Sequence, residues 1–197
     1  MATQPKSYLT PEEYLALERQ AEYRSEYVDG EMVAMTGTSS AHNRITRNLI
    51  RRLDEALEDG PCEPFVAEIR VRILHRRYYY PDVVVVCGEA EFEDDELDTL
   101  LNPTVVFEVL SKSTQNYDRG EKAEFHRALP SLRELVFVSQ YRVHVEHMVR
   151  QAEREWVLAE YDSLDDTLVL PTLRMRLPLA HIYRRVLPPE QTEHGPD

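Results

Sequence analysis

Two carboxylates in this chain stand where solvated acids rarely do. Asp82 follows Pro81 and opens the run Val83-Val84-Val85-Val86. Glu108 interrupts the apolar segment Val105-Val106-Phe107-Glu108-Val109-Leu110. An ionised carboxylate in an apolar interior is costly unless it is protonated, gains a partner or binds a metal. In a period-2 strand Glu108 shares a face with Thr104, Val106 and Leu110, opposite Val105, Phe107 and Val109. Consecutive strands often pair directly, and if these two do, Asp82 and Glu108 can converge at one end of a sheet. Converged carboxylates repel unless one is protonated or a cation lies between them. An all-oxygen site suits Mg2+ or Mn2+ better than zinc.

Lys122 is the third candidate. On a helix it shares a stripe with Phe125 and Leu129, so it points inward or lies at the margin of the apolar face. Beside a metal-bound carboxylate pair, a lysine could orient a water nucleophile or stabilise phosphoryl charge. Each residue also has a plainer reading. Asp82 could be a turn aspartate after proline. Glu108 could be half of a buried ion pair with Arg70 or Arg72. Lys122 could lay its stem over apolar surface. Lys112 is a rival lysine that would share the Glu108 face if the strand continued, but Ser111-Lys112-Ser113-Thr114 reads as a loop. Ser111 either bonds a carboxylate or satisfies that loop, and the structural role is preferred. His42 reads as a first-turn helix residue, with a role near the acids left open. His144 and His147 would face opposite sides of a strand, which argues against a metal pair.

The elements that must hold these groups follow from periodicity and punctuation. Thr10, Pro11 and Glu13 carry the capping signals of a first helix. Asp29-Gly30 separates two short extended runs, a hairpin signal. Ile45, Leu49, Leu53 and Leu57 mark one face of a long helix that Ser39 or Ser40 can cap and Gly60 ends. Pro64 to Leu74 reads as one half-buried strand, in which Ala67, Ile69, Val71 and Ile73 alternate with Glu68, Arg70 and Arg72. The valine run and the Glu108 segment read as strands buried on both faces. Between them, the acidic stretch from Glu89 to Asp98 reads as a surface excursion. A helix capped by Asp118 and ended before Pro130 follows, then the strand Glu134–Ser139, further alternating strands and a short closing helix. The expected fold is α/β: a mixed sheet flanked by helices, with the core order helix, three strands, helix, strand. An N-terminal helix and hairpin precede this core, and antiparallel strands follow it. Residues 1–187 are expected to form one domain and 188–197, Pro-rich and polar, a disordered tail.

At these positions the sequence resembles a family. The stretches Tyr79-Tyr80-Pro81-Asp82 with the valines, Val105 to Thr114, Tyr117 to Ser139 and Glu26 to Met35, with His42 at the start of the long helix, look like the Uma-two family. That bacterial group is placed in the PD-(D/E)XK nuclease superfamily, whose core order matches the one read above. The resemblance covers roughly Tyr14 to Tyr183. It implies a restriction-endonuclease-like fold and a metal-dependent phosphodiesterase site. Asp82 and Glu108 would be metal ligands, and the backbone carbonyl of Val109 a third. The lysine two residues after the acid would fall at Leu110, so its role would pass to Lys122 on the following helix. Glu26 matches a family position before the Asp29-Gly30 turn, where it would add an acid or pair with an arginine.

Composition narrows the alternatives. The 197 residues carry 36 acidic and 23 basic side chains, a formal net charge of −13. That argues against tight nonspecific nucleic-acid binding, though not against a local basic surface. Arg44, Arg47 and Arg51 line one helical stripe, and Arg70 and Arg72 lie nearer the tyrosines. They could grip a phosphate backbone or pair with the many acids. No apolar run reaches membrane-span length. Cys62 and Cys87 have no CxxC spacing, so they read as packing residues of a cytoplasmic protein. The expected function is Mg2+- or Mn2+-dependent hydrolysis of a phosphodiester, most plausibly in DNA. The rival is a catalytically silent module of the same fold that binds nucleic acid or protein. Either could be a homodimer joined through its C-terminal strands.

Overall fold

The structure is a computed structural model describing residues 8–35, 37–66, 68–111 and 115–186. Lys112 and the expected tail lie outside the described residues. In chain order come α1 (Pro11–Glu18), β1 (Ser25–Val28), β2 (Glu31–Ala34), α2 (Ser40–Leu57), β3 (Cys62–Val66), β4 (Arg70–Ile73) and β5 (Arg77–Tyr79). Next are β6 (Val83–Cys87), β7 (Thr99–Leu100), β8 (Val105–Leu110), α3 (Gln115–Tyr117), a π-type turn (Asp118–Lys122) and α4 (Ala123–Ala128). The chain continues through β9 (Glu134–Ser139), β10 (Val145–Ala152), β11 (Glu155–Tyr161), β12 (Thr167–Leu170), β13 (Met175–Pro178) and α5 (Leu179–Ile182).

The apolar runs centre a six-stranded sheet ordered β11-β10-β9-β8-β6-β3. β8 pairs antiparallel with β6 and parallel with β9. A parallel neighbour requires a crossover, and α3 and α4 supply it. The expected order of helix, three strands, helix, strand is therefore present as α2, β3, β6, β8, α3–α4 and β9. Apolar runs without alternation can fill a strand only where both faces are covered. Here Ile45, Leu49, Leu53 and Leu57 of α2 cover Val83, Val85, Val105 and Phe107 on one face. On the other, Val84, Val106 and Leu110 pack with Val71, Ile73 and Tyr79 and with Ala123 and Leu129.

The expected strand from Pro64 to Leu74 is not continuous: β3 ends at Val66 and β4 begins at Arg70. β3 joins the six-stranded sheet, whereas β4 joins a second sheet ordered β2-β1-β5-β4-β7. A turn separates them, closed by amides of Glu68 and Ile69 on the Val66 carbonyl. β12 and β13 add a further hairpin that periodicity did not announce. The cysteines also depart from expectation. Cys62 and Cys87 are directly opposed across β3 and β6 and form a disulfide. Strand register, not sequence spacing, brings these thiols together.

The N-terminus of α2 is closed as expected. Ser39 Oγ accepts from the His42 amide at 3.1 Å and donates to the side chain of Gln140. Ser39→Ala should cost about 1 kcal/mol, a usual loss for a removed cap, read as a lower urea midpoint with an unchanged m-value.

Candidate active site

Asp82 and Glu108 are brought together by strand register. Val83 opposes Phe107 across β6 and β8, so one step further sets Asp82 opposite Glu108. Asp82 Oδ2 accepts from the Val109 amide at 2.7 Å, and Oδ1 lies 3.0 Å from His42 Nε2. The amide and carbonyl of a strand residue project to the same edge. The Val109 carbonyl therefore faces the same side as Asp82. Burial disfavours a charged His42. The hydrogen bond and charge of Asp82, with Glu108 and Asp118 behind it, outweigh burial and raise its pKa.

Glu108 is only 5% exposed. Its partner is neither Arg70 nor Arg72. Lys122 Nζ lies 3.0 Å and His126 Nε2 3.3 Å from the same oxygen, Oε1. Both are close enough for strong electrostatics, yet neither meets Oε1 with the angle of a hydrogen bond. Burial alone would raise the carboxyl pKa. Lys122 first, then His126, reverse this and hold Glu108 below the ordinary glutamate value.

Lys122 ties the two sheets together. Besides Glu108 on β8, it donates to Glu26 Oε1 on β1 at 2.9 Å and lies 4.0 Å from Asp118 Oδ1. Burial opposes its charge, but these acids raise its pKa well above the ordinary lysine value. The Tyr79 ring centroid is 5.2 Å from Nζ, and the Tyr79 and Tyr117 hydroxyls meet at 2.9 Å. Asp118 is not the expected helix cap. The helix starts earlier, at Gln115, and widens into a π-type turn in which Gly120 leaves helical geometry (φ −92°, ψ −108°). That widening turns both Asp118 and Lys122 inward, and such bulges recur at functional sites.

The residues present fit a divalent cation. Asp82 bonds the Val109 amide next to Glu108, and these two carboxylates with the Val109 carbonyl are hard oxygen donors, as Mg2+ and Mn2+ prefer. Glu26 is an additional acid, bound to Lys122 and not to an arginine. The Ser111 carbonyl accepts the Gln115 amide that begins α3.

The arginines divide. Arg44 and Arg47 are exposed on α2, and Arg51, also exposed, pairs with Glu55 on the same helix. Arg70 and Arg72 do not belong to a phosphate-binding surface. Arg70 is 2% exposed and bound to Asp98, Thr99 and Tyr80, while Arg72 holds Glu93 at 2.8 Å. They pin the acidic excursion to the second sheet, and Arg19, at the end of α1, holds it through Asp94 and Asp98.

His126 was absent from the sequence-based candidates, although it stands four residues after Lys122 and hence on the same helical face. His147 is part of a buried pair with Glu134 at 2.6 Å. His144 lies within 3.5 Å of both Glu146 and Glu160, a cluster with ligand-like spacing. Arg119 already supplies counter-charge there, 2.6 Å from Glu146.

The fold is of the α/β class, with mixed sheets flanked by helices. The fold resembles the crystal structure of a putative nuclease belonging to DUF820 from Anabaena variabilis, with a TM-score of 0.74 and 16% identity over 91% of this chain and 99% of that one. The profile of the Uma2 family, described as "putative restriction endonuclease", matches residues 11–180, and the chain belongs to that family. Two Synechocystis proteins of uncharacterised function are similar over most of their length. One, sll1609, is 39% identical over 77% of this chain and 86% of its own. The other, slr1290, is 32% identical over 91% of this chain and 94% of its own. Among the described residues no helix is long and apolar enough to cross a membrane.

Proposed function

We propose that this chain is a divalent-metal-dependent nuclease that hydrolyses phosphodiester bonds in DNA. Mg2+ or Mn2+ would be held by Asp82, Glu108 and the Val109 carbonyl. The observation that carries this reading is the bond of Asp82, one residue before β6, to the Val109 amide beside Glu108, with an ammonium 3.0 Å from Glu108. When bound, the metal would supply a Lewis acid and a more acidic water. His42 and the Val109 amide hold Asp82, and this would orient it for ligation. Lys122 stands where it can hold a water or offset phosphoryl charge. Cleavage of duplex DNA with Mn2+, lost in Asp82→Asn, tests the proposal.

DNA would approach the exposed start of α2, where Arg44 and Arg47 stand two residues and five residues after His42. Reversing both to glutamate should weaken binding for every sequence and lower the salt slope by about 2, roughly one per arginine. Arg72→Ala should leave that slope unchanged, because Arg72 is held by Glu93. Fluorescence anisotropy without divalent metal reads both.

A catalytically silent module is the second reading. The enclosure of Lys122 between Glu26 and Glu108 favours it, because a lysine held by two acids has less freedom to serve a substrate. Metal binding without cleavage of any DNA or RNA would select this reading. On either reading, pairing through β10 and β11 would give a homodimer.

A further inference from the structure

The imidazole of His126 is fully buried, and among the described residues neither of its nitrogens has a hydrogen bond. A buried polar group without a well-made hydrogen bond loses about 1–3 kcal/mol, so the imidazole here calls for an explanation. Three observations supply one. Nε2 is 3.3 Å from Glu108 Oε1, close enough to tighten into a hydrogen bond. Lys122, one turn earlier on the same face, approaches that same oxygen. Tyr79 packs against the ring, with centroids 5.8 Å apart, and fixes it from the β5 side.

We propose that His126 is a positioning residue for the metal site: its Nε2–H holds Oε1 of Glu108, so that Oε2 is presented to the cation shared with Asp82. This rests on the metal-dependent reading above. His126 would not touch metal or substrate. It would act through Glu108, as partners of metal-ligating carboxylates do, and loss of such a partner typically weakens metal affinity about 10–100-fold. The inward wall of α4 thereby gains a task beyond packing, because an apolar residue at this position would fill the space and leave Glu108 to Lys122 alone.

The test is Mn2+ titration by calorimetry on the full chain, with thermal melts of each variant alongside. His126→Leu keeps an apolar helix-forming residue and removes both nitrogens. It should weaken Mn2+ binding about 10–100-fold. His126→Gln restores an N–H donor and should recover most of that loss. A purely structural histidine would show the opposite pattern: a lower melting temperature with unchanged Mn2+ affinity, or a loss of affinity that Gln fails to rescue. Either result overturns the proposal. If the wild-type chain binds no Mn2+, the metal-dependent reading falls and this inference with it. If the wild type binds and His126→Leu binds equally well, only the role of His126 falls.

Discussion

Lys122→Met is expected to lower the stability of the metal-free protein by about 3–5 kcal/mol, the cost of leaving buried carboxylate charge without its counter-ion. Lys122 is 5% exposed and sits within 3.0 Å of both Glu26 and Glu108, with Asp118 at 4.0 Å. Methionine preserves the apolar stem, so the loss reports charge and not packing. Glu26→Gln in that background should recover part of the deficit, and the double-mutant cycle should give a coupling energy of at least about 1 kcal/mol. The pH dependence has a definite sign. In the wild type Glu108 sits below its unfolded value of 4.5, so its contribution is present above that value and is lost as pH falls through the folded one. Without Lys122 burial raises the same carboxyl, and the variant gains stability on acidification. The two denaturation curves, measured without metal, should therefore converge toward acid. A variant that melts like the wild type at neutral pH would mean that Lys122 is solvated in solution.

Asp82→Asn is expected to reduce DNA cleavage about a thousandfold or more. The substitution keeps the shape of the side chain and an acceptor for the Val109 amide, and it removes the charge that would bind a cation. A Lewis acid supplies several kcal/mol to the transition state, and about 4 kcal/mol corresponds to a thousandfold in rate. Folding should suffer little by comparison. Asparagine still accepts the Val109 amide and can still bond His42, so the fold keeps its local hydrogen bonds. Plasmid relaxation with Mn2+, beside a thermal melt, separates the two effects. A variant that cuts like the wild type would place the chemistry elsewhere.

The core and the two acids were legible because their signals are local. A continuous apolar run declares a doubly covered strand, and an acid within it declares a problem that a partner must solve. The step from the Pro81-Asp82 run to the Glu108 strand then suffices to pair them. What sequence hid depends on partners, not on faces. Alternation from Ala67 to Ile73 records which side is buried but not which sheet does the burying, so β3 and β4 read as one strand. Cys62 and Cys87 are 25 residues apart and meet only through the β3–β6 register. Arg70 and Arg72 occupy the polar phase of that alternation, yet the acidic excursion folds over them and neutralises them. Asp118 looks like a helix cap because nothing local announces the π-type turn that carries it inward. His126 was visible as the residue one turn after Lys122. It was passed over because its neighbours Phe125 and Leu129 already satisfied the apolar stripe.

A cation shared by Asp82 and Glu108 is the central proposal, and a crystal soaked in Mn2+ tests it most directly. Anomalous scattering at the manganese edge should show one peak within about 2.0–2.4 Å of a carboxylate oxygen from both Asp82 and Glu108, and it should vanish in Asp82→Asn. Saturating Mn2+ with no peak between these acids, while Glu108 stays closed on Lys122 and His126, would contradict it.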